Sequence, residues 1–196
     1  MTGEGNPEHD IVDVIQYANL KGTMVLGPGS AGVIAPGKSK VGAHPPQMYC
    51  EGKVGIVSKS GALSYEIGKT LSENGIGQST VVAIGGGPIW GLKQGDLLPM
   101  FEKDKETEII VLLGEIGGTM EVEAAKIIKK EIKKPVIALI VGKSAPKGKS
   151  LGHAGAIIEG NLGTVESKVN ALREAGVHIA EDSLDIIRLI KMIEGR

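Results

Sequence analysis

The sequence predicts an α/β fold whose strands form an open parallel sheet. Three observations carry that prediction. Apolar, β-rich runs recur along the 196 residues. Most are continuous rather than alternating, as in strands buried on both faces. Helical patterns lie between them, the order of a right-handed βαβ stack. In such sheets ligands bind beyond the carboxyl ends of the strands, so the residues just after each strand are the functional candidates.

In chain order, the first run is Thr23 to Leu26. A boundary follows in Gly37 to Gly52, where Pro-Pro and glycines interrupt any periodicity. The segment before it holds about one helix and one strand, too little to bury a core alone. The expected division is therefore residues 1–48, the end of one domain, and residues 49–196, a second domain. The second begins with a run at Lys53 to Val57 and a helix from about Leu63 to Ser72, and a run at Thr80 to Ile84 comes next. Glu108 to Leu113 precedes a helix at Glu121 to Lys134, whose acidic start and lysine-rich end complement the helix dipole. After Pro135 to Val141, a helix at Val165 to Ala175 has Thr164 as its cap and Gly176 as its stop. A weak run at Val177 to Ala180 and a Ser183-capped helix at Leu184 to Ile193 complete the pattern.

Composition narrows the function. With 22 Lys plus Arg against 23 Asp plus Glu, the formal charge is −1, and no basic stripe supplies the counterion release that nucleic-acid binding needs. No apolar stretch approaches the roughly 20 residues that span a bilayer. One cysteine, Cys50, makes no internal disulfide and suits a reducing, cytoplasmic setting. The 30 glycines, about twice ordinary usage, cluster at the ends of apolar runs. There they serve tight turns and close backbone approach to ligands.

Three loops could carry chemistry. Ser58-Lys59-Ser60-Gly61-Ala62-Leu63 opens a helix, so its N–H groups offer an anion site; a plain Ser-capped helix is the alternative. Gly114-Glu115-Ile116-Gly117-Gly118 puts a carboxylate in a glycine-rich turn, where it could orient an imidazole or serve only as a turn or cap residue. Gly152-His153-Ala154-Gly155 leaves both faces of an imidazole open, as a nucleophile passing between sites requires, although a lone histidine is commonly structural. Together an anion cradle, an acid and a nucleophile suit phosphoryl transfer through histidine. There is no Walker loop, so a nucleotide would come from another chain or domain.

GKVGIVSKSGALSYE, AIGGGPIWG, LLGEIGG and GHAGAI resemble the α subunits of succinyl-CoA synthetase, and the related regions of ATP-citrate lyase, citryl-CoA synthetase and malate-CoA ligase. The resemblance covers essentially the whole chain. It implies a flavodoxin-like ligase domain preceded by the C-terminal remnant of a Rossmann-like CoA-binding domain. The implied activity is NDP-forming acyl-CoA synthesis in the tricarboxylic acid cycle, through acyl phosphate and phosphohistidine. Citrate or malate ligation and a non-catalytic interaction module are the alternatives. His153 would be phosphorylated, Glu115 would orient it, and Ser60, Gly61 and Ala62 would hold the phosphate. Tyr65 would sit near the small carboxylate substrate, and Thr2, Gly3, Glu4 and Ser30 would face CoA. The implied partner is a β-type subunit whose ATP-grasp domain holds ATP or GTP with Mg2+, in an αβ or α2β2 assembly, with a separate CoA-binding chain as a further candidate.

The sequence also departs from the family. The resemblance begins at the family's ITEGIP segment, read here as Thr2-Gly3-Glu4-Gly5-Asn6-Pro7. The family's earlier CoA-binding glycine loop and lysine lie outside it, the expectation being a truncated or split subunit. Gly29 and Ser30 stand where the family usually has Asn-Cys, and Gly87 where Asp is common.

Overall fold

The computed structural model describes residues 1–143, 153 and 163–195. Of the GHAGAI loop only His153 falls among them, and the polar loop beyond Lys143 lies outside the described residues. The elements are α1 (Glu8–Leu20), β1 (Gly32–Ala35), β2 (Ser39–Gly42), β3 (Glu51–Ser58), α2 (Gly61–Glu73), β4 (Gln78–Ala83), α3 (Gln94–Lys103), β5 (Ile109–Glu115), α4 (Met120–Glu131), β6 (Val136–Val141), α5 (Val165–Glu174), β7 (His178–Ala180) and α6 (Ser183–Ile193).

One sheet runs β2-β1-β4-β3-β5-β6-β7. Strands β3 to β7 pair in parallel, whereas β1 is antiparallel to both β2 and β4. The parallel part has the order of flavodoxin-like sheets, and its direction of winding reverses between β3 and β5. A crevice opens there between the carboxyl ends, where Ser58 is in register with Leu113.

Continuous apolar strands make this arrangement stable because both sheet faces are covered. Val111 and Leu113 join Ile67 and Leu71 of α2 and Ile186 and Ile190 of α6. The alternate residues Ile110 and Leu112 face Leu98 of α3, Ala124 and Ile128 of α4 and Leu172 of α5. Each such side chain, fully buried, is worth about 1.5–3 kcal/mol.

Several expectations need correction. Thr23–Leu26 is not a strand of the sheet. Val25 and Gly27 instead accept single backbone hydrogen bonds from Leu92 (2.7 Å) and Gly91 (2.9 Å). The two strands of that region, β1 and β2, are only four residues each: β1 is the short apolar run GVIA, and β2 is exposed along its whole length. Both fall in the 1–48 segment, yet β1 hydrogen-bonds to β4. Helix α3 goes unassigned from sequence because Gly95 and Pro99 interrupt it. Helix α4 ends at Glu131 because Ile132 is extended and Pro135 disfavours helix before it. Asp182, not Ser183, caps α6 by accepting from the Asp185 N–H (2.8 Å).

No helix among the described residues is long and apolar enough to cross a membrane.

His44 ties the hairpin to the sheet. It is fully buried, its Nε2 meets the Gly32 carbonyl at 3.1 Å and its Nδ1 meets the Tyr49 hydroxyl at 2.8 Å. The carbonyl can only accept, so Nε2 carries the hydrogen and Nδ1 accepts from Tyr49. Burial holds the ring's pKa below its ordinary value. The unfolded chain therefore takes up this proton first as pH falls, and the stability tied to the neutral ring is lost on acidification below about 6.5. In His44→Phe, urea unfolding should show a loss of about 1–3 kcal/mol at neutral pH from the two hydrogen bonds the ring no longer makes to the Gly32 carbonyl and the Tyr49 hydroxyl. It should also show a shallower decline of stability toward pH 5 than the unmodified chain.

Candidate active site

The crevice at the carboxyl ends of β3 and β5 brings His153 to the end of β5 and the loop that follows it. Glu115 is the last residue of β5, 8% exposed, and its Oε2 lies 2.7 Å from Nδ1 of His153. The hydrogen bond to Glu115 raises the His153 pKa, with burial opposing it and the charge of Glu115 adding to it. Lys59 pulls the same pKa down and Glu4 pushes it up. The imidazole is thus held as a donor from Nδ1, which turns Nε2 away from the carboxylate.

The ring fits because position 86 is glycine. A Cβ there would stand 2.2 Å from Cγ of His153 and 2.4 Å from Nδ1. His153 also lines a cavity of about 330 Å³ with Gly3, Glu4, Asn6, Gly29, Gly86 and Gly87 among its walls. Its glycines let a ligand approach the backbone closely.

The other sequence candidates distribute as follows. Ser60 caps α2, its hydroxyl accepting from the Leu63 N–H at 3.3 Å, while Gly61 and Ala62 are the first residues of that helix. Their N–H groups have no partner within the helix, as at any helix start. The Ser58–Lys59 segment just before them is tied to both neighbours, Lys59 N–H to Leu113 O (3.3 Å) and Gly85 N–H to Lys59 O (3.1 Å). Gly3 and Glu4 line the His153 cavity, and the Gly29 N–H donates to Gly3 O (3.0 Å). Thr2 is exposed and is not part of that lining.

Two candidates lie outside that cavity wall, although the Tyr65 hydroxyl sits beside Gly61, where a Cβ would stand 3.3 Å from it. The buried Ser30 hydroxyl donates to Ala83 O (2.6 Å) and accepts from Gly32 N–H (2.8 Å), so it stabilises the start of β1 rather than facing the cavity. Tyr65 packs edge-on against His44, with ring centroids 5.4 Å apart, and is absent from the cavity wall.

Sequence reasoning missed the charged layer beneath Glu115. Glu121 is fully buried, accepts the Glu115 N–H at 3.2 Å and pairs with Lys59 at 3.0 Å and with Lys168. Gly114 leaves room for it: a Cβ there would meet Glu121 Oε1 at 2.7 Å. Lys168 is also fully buried and donates to the carbonyls of Glu115 (2.7 Å) and Gly117 (2.6 Å). Burial lowers its pKa, and Glu121 opposes that shift. A signal existed, since Lys168 lies three residues after Val165 and four before Leu172, on the apolar face of α5.

Known proteins resemble this chain over nearly its whole length. The CoA-ligase family profile matches residues 57–178. The chain is 50% identical to the succinate–CoA ligase [ADP-forming] subunit alpha 1 of Archaeoglobus fulgidus, over 97% of this chain and 65% of that protein. It is 45% identical to the malate–CoA ligase subunit alpha of Methylorubrum extorquens, over 91% of this chain and 62% of that protein. Among solved structures, Methanosaeta concilii ATP citrate lyase in complex with (3S)-citryl-CoA matches with a TM-score of 0.88 at 28% identity, over 98% of this chain and 34% of that one. The chain thus spans about two thirds of the length of these α subunits.

Gly86→Ala tests the fit of the ring. The added methyl should push His153 away from Glu115, so that by NMR the imidazole titrates back toward 6.5. The thermal midpoint should move little, because the displaced group is a partly exposed side chain.

Proposed function

The chain belongs to the CoA-ligase family, and on that premise we propose that it forms part of an α-type subunit of an NDP-forming acyl-CoA synthetase. The observation that carries the reading is the 2.7 Å contact between His153 Nδ1 and Glu115 Oε2 at the switch point of the sheet. With Nδ1–H donated to Glu115, the lone pair of Nε2 is the nucleophile. As the N–P bond forms, the bond from the terminal phosphorus of the nucleoside triphosphate to its bridging oxygen breaks and the diphosphate leaves. Glu115 stabilises the positive charge that develops on the ring. The N–P bond then breaks as a carboxylate oxygen of the acid takes the phosphoryl group, returning the imidazole, and the CoA thiolate displaces phosphate from the acyl phosphate to form the thioester.

The start of α2 supports this reading as a phosphate site, with the N–H groups of Gly61 and Ala62 as donors behind the Ser60 cap. Residues 1–48 would close a CoA-binding domain, with Gly3 and Glu4 presented to the thioester end of CoA. Residues 49–196 would form the ligase domain. A β-type partner with an ATP-grasp domain would hold ATP or GTP with Mg2+. Succinate is the proposed acyl group, with malate or citrate as the alternative that the second and third relatives favour. One observation favours a non-catalytic interaction module instead: the Ser60 hydroxyl is engaged as a helix cap.

The test is reconstitution with a β-type subunit and mass spectrometry under conditions that preserve acid-labile phosphate. The peptide holding His153 should carry a phosphoryl group, and His153→Asn should abolish both the label and acyl-CoA formation. A complex that stays active with His153→Asn overturns the reading. Glu115→Gln should slow phosphorylation by about 100-fold without unfolding the chain. Attack needs the neutral ring, so the single-turnover rate should rise with pH through the raised His153 pKa. In Glu115→Gln that rise should move to lower pH.

A further inference from the structure

The aim of the Glu115 carboxylate is not explained by its own contacts. Among the described residues its Oε1 is buried without a hydrogen-bond partner, so the bond from Oε2 to His153 is the one that orients the head group. A side chain so lightly held points where its backbone sends it. That backbone is gripped from below on both sides of the residue. The Glu115 N–H donates to Glu121 Oε1, and the Glu115 carbonyl accepts from Lys168 Nζ, which also holds the Gly117 carbonyl.

The arrangement uses the whole chemistry of an ammonium. Lys168 has three N–H donors and three acceptors: the two carbonyls of the turn and Glu121. Glu121 is in turn held from the other side by Lys59, the residue that precedes Ser60 in the loop after β3. Thus one buried chain of charges joins α5, the first turn of α4 and the loop before α2, and it grips the turn after β5 through that turn's carbonyls. Packing alone does not call for it, because an apolar side chain of similar volume fills such a space without the penalty of desolvating a charge.

We propose that Lys168 is a positioning residue for the His153–Glu115 pair, holding the turn after β5 in the one shape that aims Glu115 Oε2 at Nδ1 of the imidazole. The proposal rests on reading that pair as the reactive unit, but its geometry stands whether or not phosphate is ever carried. Lys168 acts through Glu115 and touches no reacting atom.

The experiment is an NMR titration of His153 in the full chain and in Lys168→Met, which keeps an apolar stem and removes the three donors. The two possible effects have opposite signs. Loss of a nearby positive charge by itself would leave the imidazole titrating at the same pH or higher. Loss of position frees Glu115 from the ring, so that His153 titrates lower, by about one pH unit. Folded Lys168→Met with His153 titrating at or above the unmodified value overturns the proposal. A lysine that only stabilised α5 would lower the thermal midpoint and leave the titration unmoved.

Should Lys168→Met fail to fold, Lys168→Gln decides. Its amide still donates but is shorter, so it cannot hold both carbonyls as the ammonium does. His153 should again titrate lower, by a smaller step, and an unmoved titration in folded Lys168→Gln overturns the proposal. Phosphorylation plays no part in the reading, so failure of the ligase assignment and failure of this one are separable.

Discussion

Glu121 carries its carboxylate at a position with no solvent exposure, and a charge taken out of water must find partners there. It finds Lys59 on one side and Lys168 on the other, each almost or fully buried in turn. Removing one partner from such a set leaves an uncompensated charge, typically about 3–5 kcal/mol of destabilisation. The loop after β3, the turn after β5 and α5 are therefore not free to settle independently. Lys59 before α2, Glu121 in the first turn of α4 and Lys168 of α5 form one ionic layer, and the Glu115–His153 contact is built on top of it.

The sheet explains why these loops meet at all. Reversal of the winding between β3 and β5 sends one connection out over each face, so the chain segments leaving the two strands diverge and leave a crevice. Small residues then decide what can enter. Gly114 admits the Glu121 side chain from below, and Gly86 admits the imidazole from the side. Gly163, with φ of +76°, brings the chain after the His153 loop back against Gly117, whose N–H donates to the Gly163 carbonyl at 2.8 Å. The glycine enrichment of the sequence thus becomes specific spaces around one pair of side chains.

The parallel strands were legible because burial on both faces writes itself as uninterrupted Val, Ile and Leu. β1 and β2 were not, because GVIA and SKVG are only four residues long and form a tight hairpin, and it is β4, far along the chain, that holds β1 in the sheet. Glu115 and His153 stood out in sequence as polar residues set among glycines after strands. Lys168 and Glu121 did not, since charged residues on amphipathic helices ordinarily face water, and the reading of α4 assigned Glu121 to the helix dipole. Ser30 shows the opposite limit: proximity in sequence to a site says nothing about which of several hydrogen-bonding partners will claim a side chain. Ser30 was claimed by Ala83 and Gly32, whereas the Tyr65 ring packs on His44 with its hydroxyl beside Gly61.

The two margins of the sheet have a consequence of their own. β2 is four residues long, exposed throughout and carries Lys40, and β7 at the far side is only three residues long. Open strand borders are templates on which a foreign backbone can be recruited, and short, charged borders are poor templates. Its most aggregation-prone segments, the β-branched runs of β5 and β6, lie in the middle of the sheet with both ladders satisfied. Fibrillar growth from the native state would first have to strip away β7 or the β1–β2 hairpin.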